Sequence, residues 1–205
     1  MIDVYKNQFK EFGDNPASLG CPKGRQDLRF KALTKNVTNG RLLDYGCGFG
    51  DLSFYLEKSK IFVEYHGCDL MTEFLSVAKR NSPNNNFFLT KIDESINDKY
   101  DFIIACGVFN FLYSQEKEEH ISFVYQTIEN LFECCNHSLS IDFLSSVVDF
   151  TAPDAYHQDI NSLIDFISSK ISRRFHIDHS YMPYEFCIHI YKEQEIVRPD
   201  NVFKI

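Results

Sequence analysis

The order of apolar runs along the chain constrains its fold more than any other feature. Strand-like runs at 41–45, 61–68, 87–91, 100–107 and 138–144 alternate with helix-like stretches at 51–59, 72–81 and 116–135. Such alternation implies parallel strands joined by right-handed crossovers, with helices on both faces of one sheet. The run YDFIIACG at 100–107 is apolar almost throughout, as burial on both faces requires. A further helix is expected at 159–169, and two last strands at 175–181 and 185–192. Only MPY separates those two strands, too little chain for a crossover helix, so they must pair antiparallel. The expected architecture is α/β: a three-layer, doubly wound sheet of seven strands, mostly parallel, with an antiparallel C-terminal edge hairpin.

The chain of 205 residues suits one domain with a sizeable core. We expect a single domain over 1–205, with cap helices in 1–36 and the sheet core over 41–193. The formal net charge of −8 argues against an extended nucleic-acid interface, which needs clustered Lys and Arg. Seven cysteines (Cys21, Cys47, Cys68, Cys106, Cys134, Cys135 and Cys187) form an odd set without C-x-x-C zinc spacing, and the histidines show no metal spacing either. Several cysteines fall inside apolar runs, where a thiol behaves as a small hydrophobe. A reduced, cytoplasmic setting is expected. MIDVYKNQFKEF lacks the apolar stretch of a signal peptide, and no membrane-spanning run occurs.

The first strand leads into LLDYGCGFGD, with Gly46, Gly48 and Gly50 at every second position. Glycine weakens regular structure, so the cluster needs a reason. In a doubly wound sheet, ligands bind beyond the carboxyl ends of the strands, where this loop lies. A dinucleotide needs G-x-G-x-x-G so that its pyrophosphate rests on the helix N-terminus. Here the third glycine comes one residue early. Asp44 precedes the loop and Asp51 follows it, and two carboxylates so close would repel a pyrophosphate. They suit a ligand with an ammonium group and a positive centre. Asp69 ends the second strand at about the distance where an acid reaches ribose hydroxyls. A ribose, no phosphate and a cationic tail together describe S-adenosylmethionine.

LLDYGCGFGDLSFYL, then GCDLM, KIDES and YDFIIACGVFN, resembles the class I S-adenosylmethionine-dependent methyltransferases, small bacterial single-domain members in particular. The resemblance runs from about Leu42 to Asn110 and implies that family's Rossmann-like strand order. It implies that Gly46, Cys47 and Gly48 line the methionine part of the cofactor, after Asp44. Asp69 would hold the ribose and Leu70 pack on the adenine. Asp93 would lie near the adenine amino group with Glu94 beside it, and Cys106 and Gly107 beneath the amino-acid end. SLGCPKGRQDLRF resembles the N-terminal cap helix of some members, making Arg25, Gln26 and Arg29 candidates for the cofactor carboxylate. Arg25 and Arg29, four apart, equally fit a solvated helix face.

Methyl transfer is an in-line displacement in which positioning supplies most of the catalysis, so a strong catalytic signature is not required. A general base helps only where the nucleophile carries a proton of high pKa. Asn110 after the fourth strand, His157 in a loop after Pro153, and Tyr184 at the terminal hairpin are the catalytic candidates. Asp142 is a further possibility, and Tyr181 and Glu185 flank the same turn. CGVFNF stands where amino-methylating nucleic-acid enzymes carry N-P-P-Y or D-P-P-Y. The expected function is therefore methylation of an oxygen or nitrogen of a small-molecule acceptor, giving S-adenosylhomocysteine as product. The rivals are an RNA or protein methyltransferase, an NAD-dependent oxidoreductase and a non-catalytic binding protein.

Overall fold

The apolar runs become strands of one sheet, in the spatial order Asn86–Leu89, Glu64–Asp69, Arg41–Tyr45, Tyr100–Ala105, Cys135–Ser145, Glu185–Tyr191 and Phe175–Met182. A computed structural model describes residues 2–20, 25–92, 94–114, 116–152 and 154–192. Its elements are α1 (Ile2–Phe12), a 3-10 turn (Pro16–Leu19), α2 (Gln26–Leu33), β1 (Arg41–Tyr45), α3 (Asp51–Lys58), β2 (Glu64–Asp69), α4 (Thr72–Asn81) and β3 (Asn86–Leu89). After these come β4 (Tyr100–Ala105), α5 (Lys117–Cys134), β5 (Cys135–Ser145), β6 (His157–Gln158) and α6 (Ile160–Phe166), the last running into a π-turn at Ile167–Ile171. The hairpin of β7 (Phe175–Met182) and β8 (Glu185–Tyr191) closes the sheet edge.

Strands β1 to β5 pair parallel, and β8 runs antiparallel to both β5 and β7, as the short MPY connection demands. The two faces bury separate cores. On one face Phe30 and Leu33 of α2, Leu52 and Leu56 of α3 and Leu75 of α4 pack on Leu42, Phe102 and Ile104. On the other, Val124, Ile128 and Leu131 of α5 and Leu163 of α6 pack on Leu43, Ile103, Leu139 and Ile141. Alternate residues of β1 and β4 thus serve opposite layers, which is the period-2 rule applied to a sheet buried on both sides.

The sheet has an eighth strand that the sequence reading lacks. β6 is two residues long, and Leu144 pairs with His157 of β6 as well as with Glu185 of β8. β4 stops pairing at Ile141, so β6 takes up the edge of β5 that β4 leaves open. Two residues carry no periodicity, so nothing local announces such a strand. His157 accordingly belongs to a strand and not to a loop. Other strand ends shift by one or two residues, and two strand starts move by three. β5 begins at Cys135, directly at the end of α5, because Cys135 is already extended (φ −89°, ψ 137°) and pairs with Tyr100. β2 begins at Glu64, whose N–H donates to Gly40, so 61–63 are lead-in chain.

Candidate active site

The carboxyl ends of β1, β2, β4 and β5 open into one cavity of about 330 Å³, roofed by α1, the 3-10 turn and α2. Its floor is the glycine loop. Gly46, Gly48 and Gly50 all have positive φ, at 76°, 54° and 79°, a region where side chains are strained. The chain itself also needs the space. A Cβ on Gly46 would stand 2.6 Å from Val108 Cγ2, and one on Gly48 would stand 3.0 Å from Leu19 Cδ2. The glycines thus let the β4 loop and the 3-10 turn close onto the first loop.

The loop's own amides are largely spent inside the protein. Gly46 and Cys47 N–H both donate to the Cys68 carbonyl, at 2.8 and 2.9 Å, and Gly50 N–H donates to Cys47. Gly48 N–H donates to Asp69 Oδ2 at 2.9 Å, while Met71 N–H takes Oδ1 at 2.9 Å. Asp69 is therefore held by two main-chain donors with lone pairs left on both oxygens. Burial raises its pKa against the lowering effect of those N–H bonds. Asp44, 3% exposed, accepts from Tyr65 Oη at 2.6 Å, and burial lifts it to about 7 against that bond. Asp51 is raised by burial, against a hydrogen bond from Gln26.

The opposite wall rests on a buried ion pair. Arg29 Nε donates to Glu185 Oε2 at 2.6 Å and Nη2 to Oε1 at 2.5 Å, a two-pronged contact joining α2 to β8. Asp142 lies 3.5 Å from Arg29 Nε and accepts from Gly107 N–H at 2.5 Å. Burial raises Asp142 to about 6, opposed first by the Arg29 charge. Arg29 itself is raised: desolvation would lower it, but the Glu185 bond and the Asp142 charge outweigh that. Arg29 is only 7% exposed, so the solvated-face reading does not hold for it. An arginine carries its charge on a long stem, and α2 lies over the sheet edge, so the head reaches inward.

The cavity brings together most of the residues singled out from the sequence. Arg25, Asp44, Gly46, Cys47, Gly48, Asp69, Leu70, Cys106, Gly107 and Asn110 all line it, with Gln26 and Glu185. Asp93 lies outside the described residues, and Glu94 is exposed, accepting from Lys91 N–H away from the cavity. His157 and Tyr184 do not line it either. His157 Nδ1 sits 2.8 Å from the Ser145 carbonyl, drawn to the sheet edge by β6. Tyr184 packs on Phe150 at 5.7 Å in the hairpin turn. Tyr5, Phe74, Ile92, Phe111 and Phe123 line the cavity without having been foreseen. Each is apolar or aromatic, and sequence alone does not separate such a residue from core.

The family described as "Methyltransferase domain" matches residues 43–135. Rv1506c of Mycobacterium tuberculosis, which bears a provisional methyltransferase name, is 27% identical over 154 residues, 73% of this chain and 91% of that protein. Among solved structures, magnesium protoporphyrin IX methyltransferase from Synechocystis PCC 6803, with bound SAH, superposes with a TM-score of 0.63 at 16% identity, covering 94% of each chain. A TehB-like SAM-dependent methyltransferase from Corynebacterium glutamicum gives 0.62 at 16% identity, covering 95% of this chain and 100% of that one. At these identities the structural likeness is one of fold, and it runs through the whole sheet.

Proposed function

We propose that this chain, which carries the methyltransferase domain of class I S-adenosylmethionine-dependent enzymes, binds that cofactor in the cavity and methylates an oxygen or nitrogen of a small-molecule acceptor. The observation carrying the reading is Asp69, fixed by Gly48 and Met71 N–H at the end of β2, with acceptor capacity left for a ribose diol. The cofactor fits the donor set here. Asp44 offers a carboxylate to an ammonium, Leu70 and Ile92 offer apolar contact to a base, and Arg25 offers charge to a carboxylate. When bound, the cofactor supplies an activated methyl group on a sulfonium.

The chain's own residues hold and orient. Asp142 fixes the Gly107 amide at the end of β4, and Arg29 and Glu185 clamp α2 above it. That ties the cap helix and the end of β4 to the far strands, the kind of positioning an in-line displacement needs. An NAD-dependent oxidoreductase is disfavoured by the loop amides. Gly46, Cys47, Gly48 and Gly50 already donate internally, so they offer no cradle for a pyrophosphate. The cavity of about 330 Å³ and the net charge of −8 favour a small acceptor over RNA.

A thermal-shift panel of S-adenosylmethionine, S-adenosylhomocysteine and NAD tests the reading. We expect both sulfur nucleosides to raise Tm and NAD to leave it unchanged. Asp69→Ala is expected to weaken nucleoside binding at least tenfold. A Tm shift with NAD alone, or full nucleoside affinity in Asp69→Ala, overturns the assignment.

A further inference from the structure

Asn110, just past the end of β4, has its side-chain amide held by β5 at the cavity wall. Its Oδ1 accepts from Leu144 N–H at 3.1 Å. A backbone N–H can only donate, so this contact sets the amide orientation and turns Nδ2 the other way. No described residue accepts from Nδ2, although the side chain is only 9% exposed and lines the cavity. Asn110 therefore shows the cleft a donor. The space it faces lies over Gly107. A Cβ placed there would stand 3.8 Å from Asn110 Nδ2 and 3.7 Å from Arg29 Nη1, so an arginine edge borders the same spot.

A donor at this point discriminates between nucleophiles. A neutral amine has one lone pair, and a hydrogen bond to it removes the electrons that must attack. A carboxylate oxygen has lone pairs to spare: one accepts from Asn110 and another attacks. The cavity also lacks an uncommitted base. Among its described lining residues there is no histidine or lysine. Its carboxylates are committed, Asp44 to the cofactor ammonium and Asp69 to the ribose under the proposed function, and Glu185 to Arg29. A nucleophile that arrives already ionised needs no proton removed. Val108, Phe111, Phe123 and Leu144 give the cavity apolar wall, and Tyr5 adds an aromatic ring. The Tyr5 and Phe111 rings meet edge to face at 5.6 Å.

Resting on the proposed function, we infer that the acceptor is a small apolar or aromatic carboxylate, whose anionic oxygen is held by Asn110 Nδ2. One carboxylate oxygen forms a bond to the methyl carbon as the carbon–sulfur bond breaks. The pair from that bond returns to sulfur, and the products are a neutral methyl ester and a neutral thioether. No proton moves.

Calorimetry on the S-adenosylhomocysteine complex, with benzoate, benzamide and benzylamine as probes, tests this. We expect benzoate to bind at least tenfold tighter than benzylamine or benzamide. Asn110→Asp keeps an acceptor for Leu144 N–H but replaces the donor with negative charge, and should abolish that preference while leaving nucleoside affinity within about twofold. Asn110→Ser, which adds no charge, should weaken benzoate in the same direction. Benzylamine binding as tightly as benzoate overturns the inference, as does a preference surviving in both variants. Loss of nucleoside affinity in Asn110→Asp would assign the residue to the cofactor's own carboxylate and overturn it too. Absence of nucleoside binding in the wild type would sink the methyltransferase reading beneath it, a separate and recognisable failure.

Discussion

The two sides of the cleft are built by opposite rules. Over β1 and β2, the parts are near one another in the chain: Gly48 and its partner Asp69 are 21 residues apart. They are held by main-chain hydrogen bonds and positive-φ glycines, devices that leave a local mark in the sequence. Over β4, β5 and β8, the contact that matters joins Arg29 to Glu185 across 156 residues. It is held by buried charge, and no spacing along the chain links the two residues. One side is specified by backbone conformation, the other by the burial of an ion pair whose members must find each other during folding.

The difference can be broken most forcefully at the ion pair. Glu185→Ala leaves the Arg29 guanidinium buried beside Asp142 with its main partner gone. We expect a loss of about 3–5 kcal/mol in denaturant unfolding, against a much smaller loss when Arg29→Met and Glu185→Leu are combined. If the single and double changes cost the same, packing rather than charge holds this side together.

The glycine side should fail through the backbone. Gly46→Ala puts a Cβ at φ 76° and against Val108, and is expected to cost roughly 1–3 kcal/mol, with nucleoside affinity falling in step. Pairing it with Val108→Ala should recover the steric part and leave the φ strain, so the cycle separates the two causes.

A subtler contrast is in pH. The folded chain keeps a proton on Asp44 up to about 7, whereas the unfolded chain releases it near 3.8. The stability from this site is complete below the lower value and is lost as pH rises through about 7. Affinity for a cationic ligand moves the other way, because it prefers the ionised carboxylate. We expect nucleoside Kd to tighten as pH rises toward 7, by at most about tenfold per unit, and Asp44→Asn to flatten that slope in calorimetry. The smallest effect is expected away from the cleft. Lys58 and Asp27 form a surface pair 77% and 65% exposed, and Lys58→Ala should change stability by less than about 0.5 kcal/mol.

Much of the fold was readable because its signals are short-range. Strands β1 to β5, helices α3 to α5 and the terminal hairpin follow from runs of apolar residues and from the three-residue MPY connection. The strand β6 was not readable, since two residues acquire extended pairing only where β4 stops short of β5. Among site residues, Asp44, Asp69 and the glycines could be picked by position relative to a strand end. His157 and Tyr184 could not be judged that way, because whether a residue near a turn faces a cleft depends on the neighbouring strand. Asn110 is a candidate by its place after β4, but its donor character depends on Leu144 of β5.

The sequence by itself determined the layered sheet, its glycine loop and the acid that follows it, since these depend on local patterning and spacing along the chain. The tertiary structure decided that Arg29 is buried rather than solvated, that Asn110 shows a donor rather than an acceptor, and that His157 leaves the cleft. Hydrogen bonds and ion pairs between distant segments set those outcomes, and which partner a polar group finds is known only once the chain has closed around it.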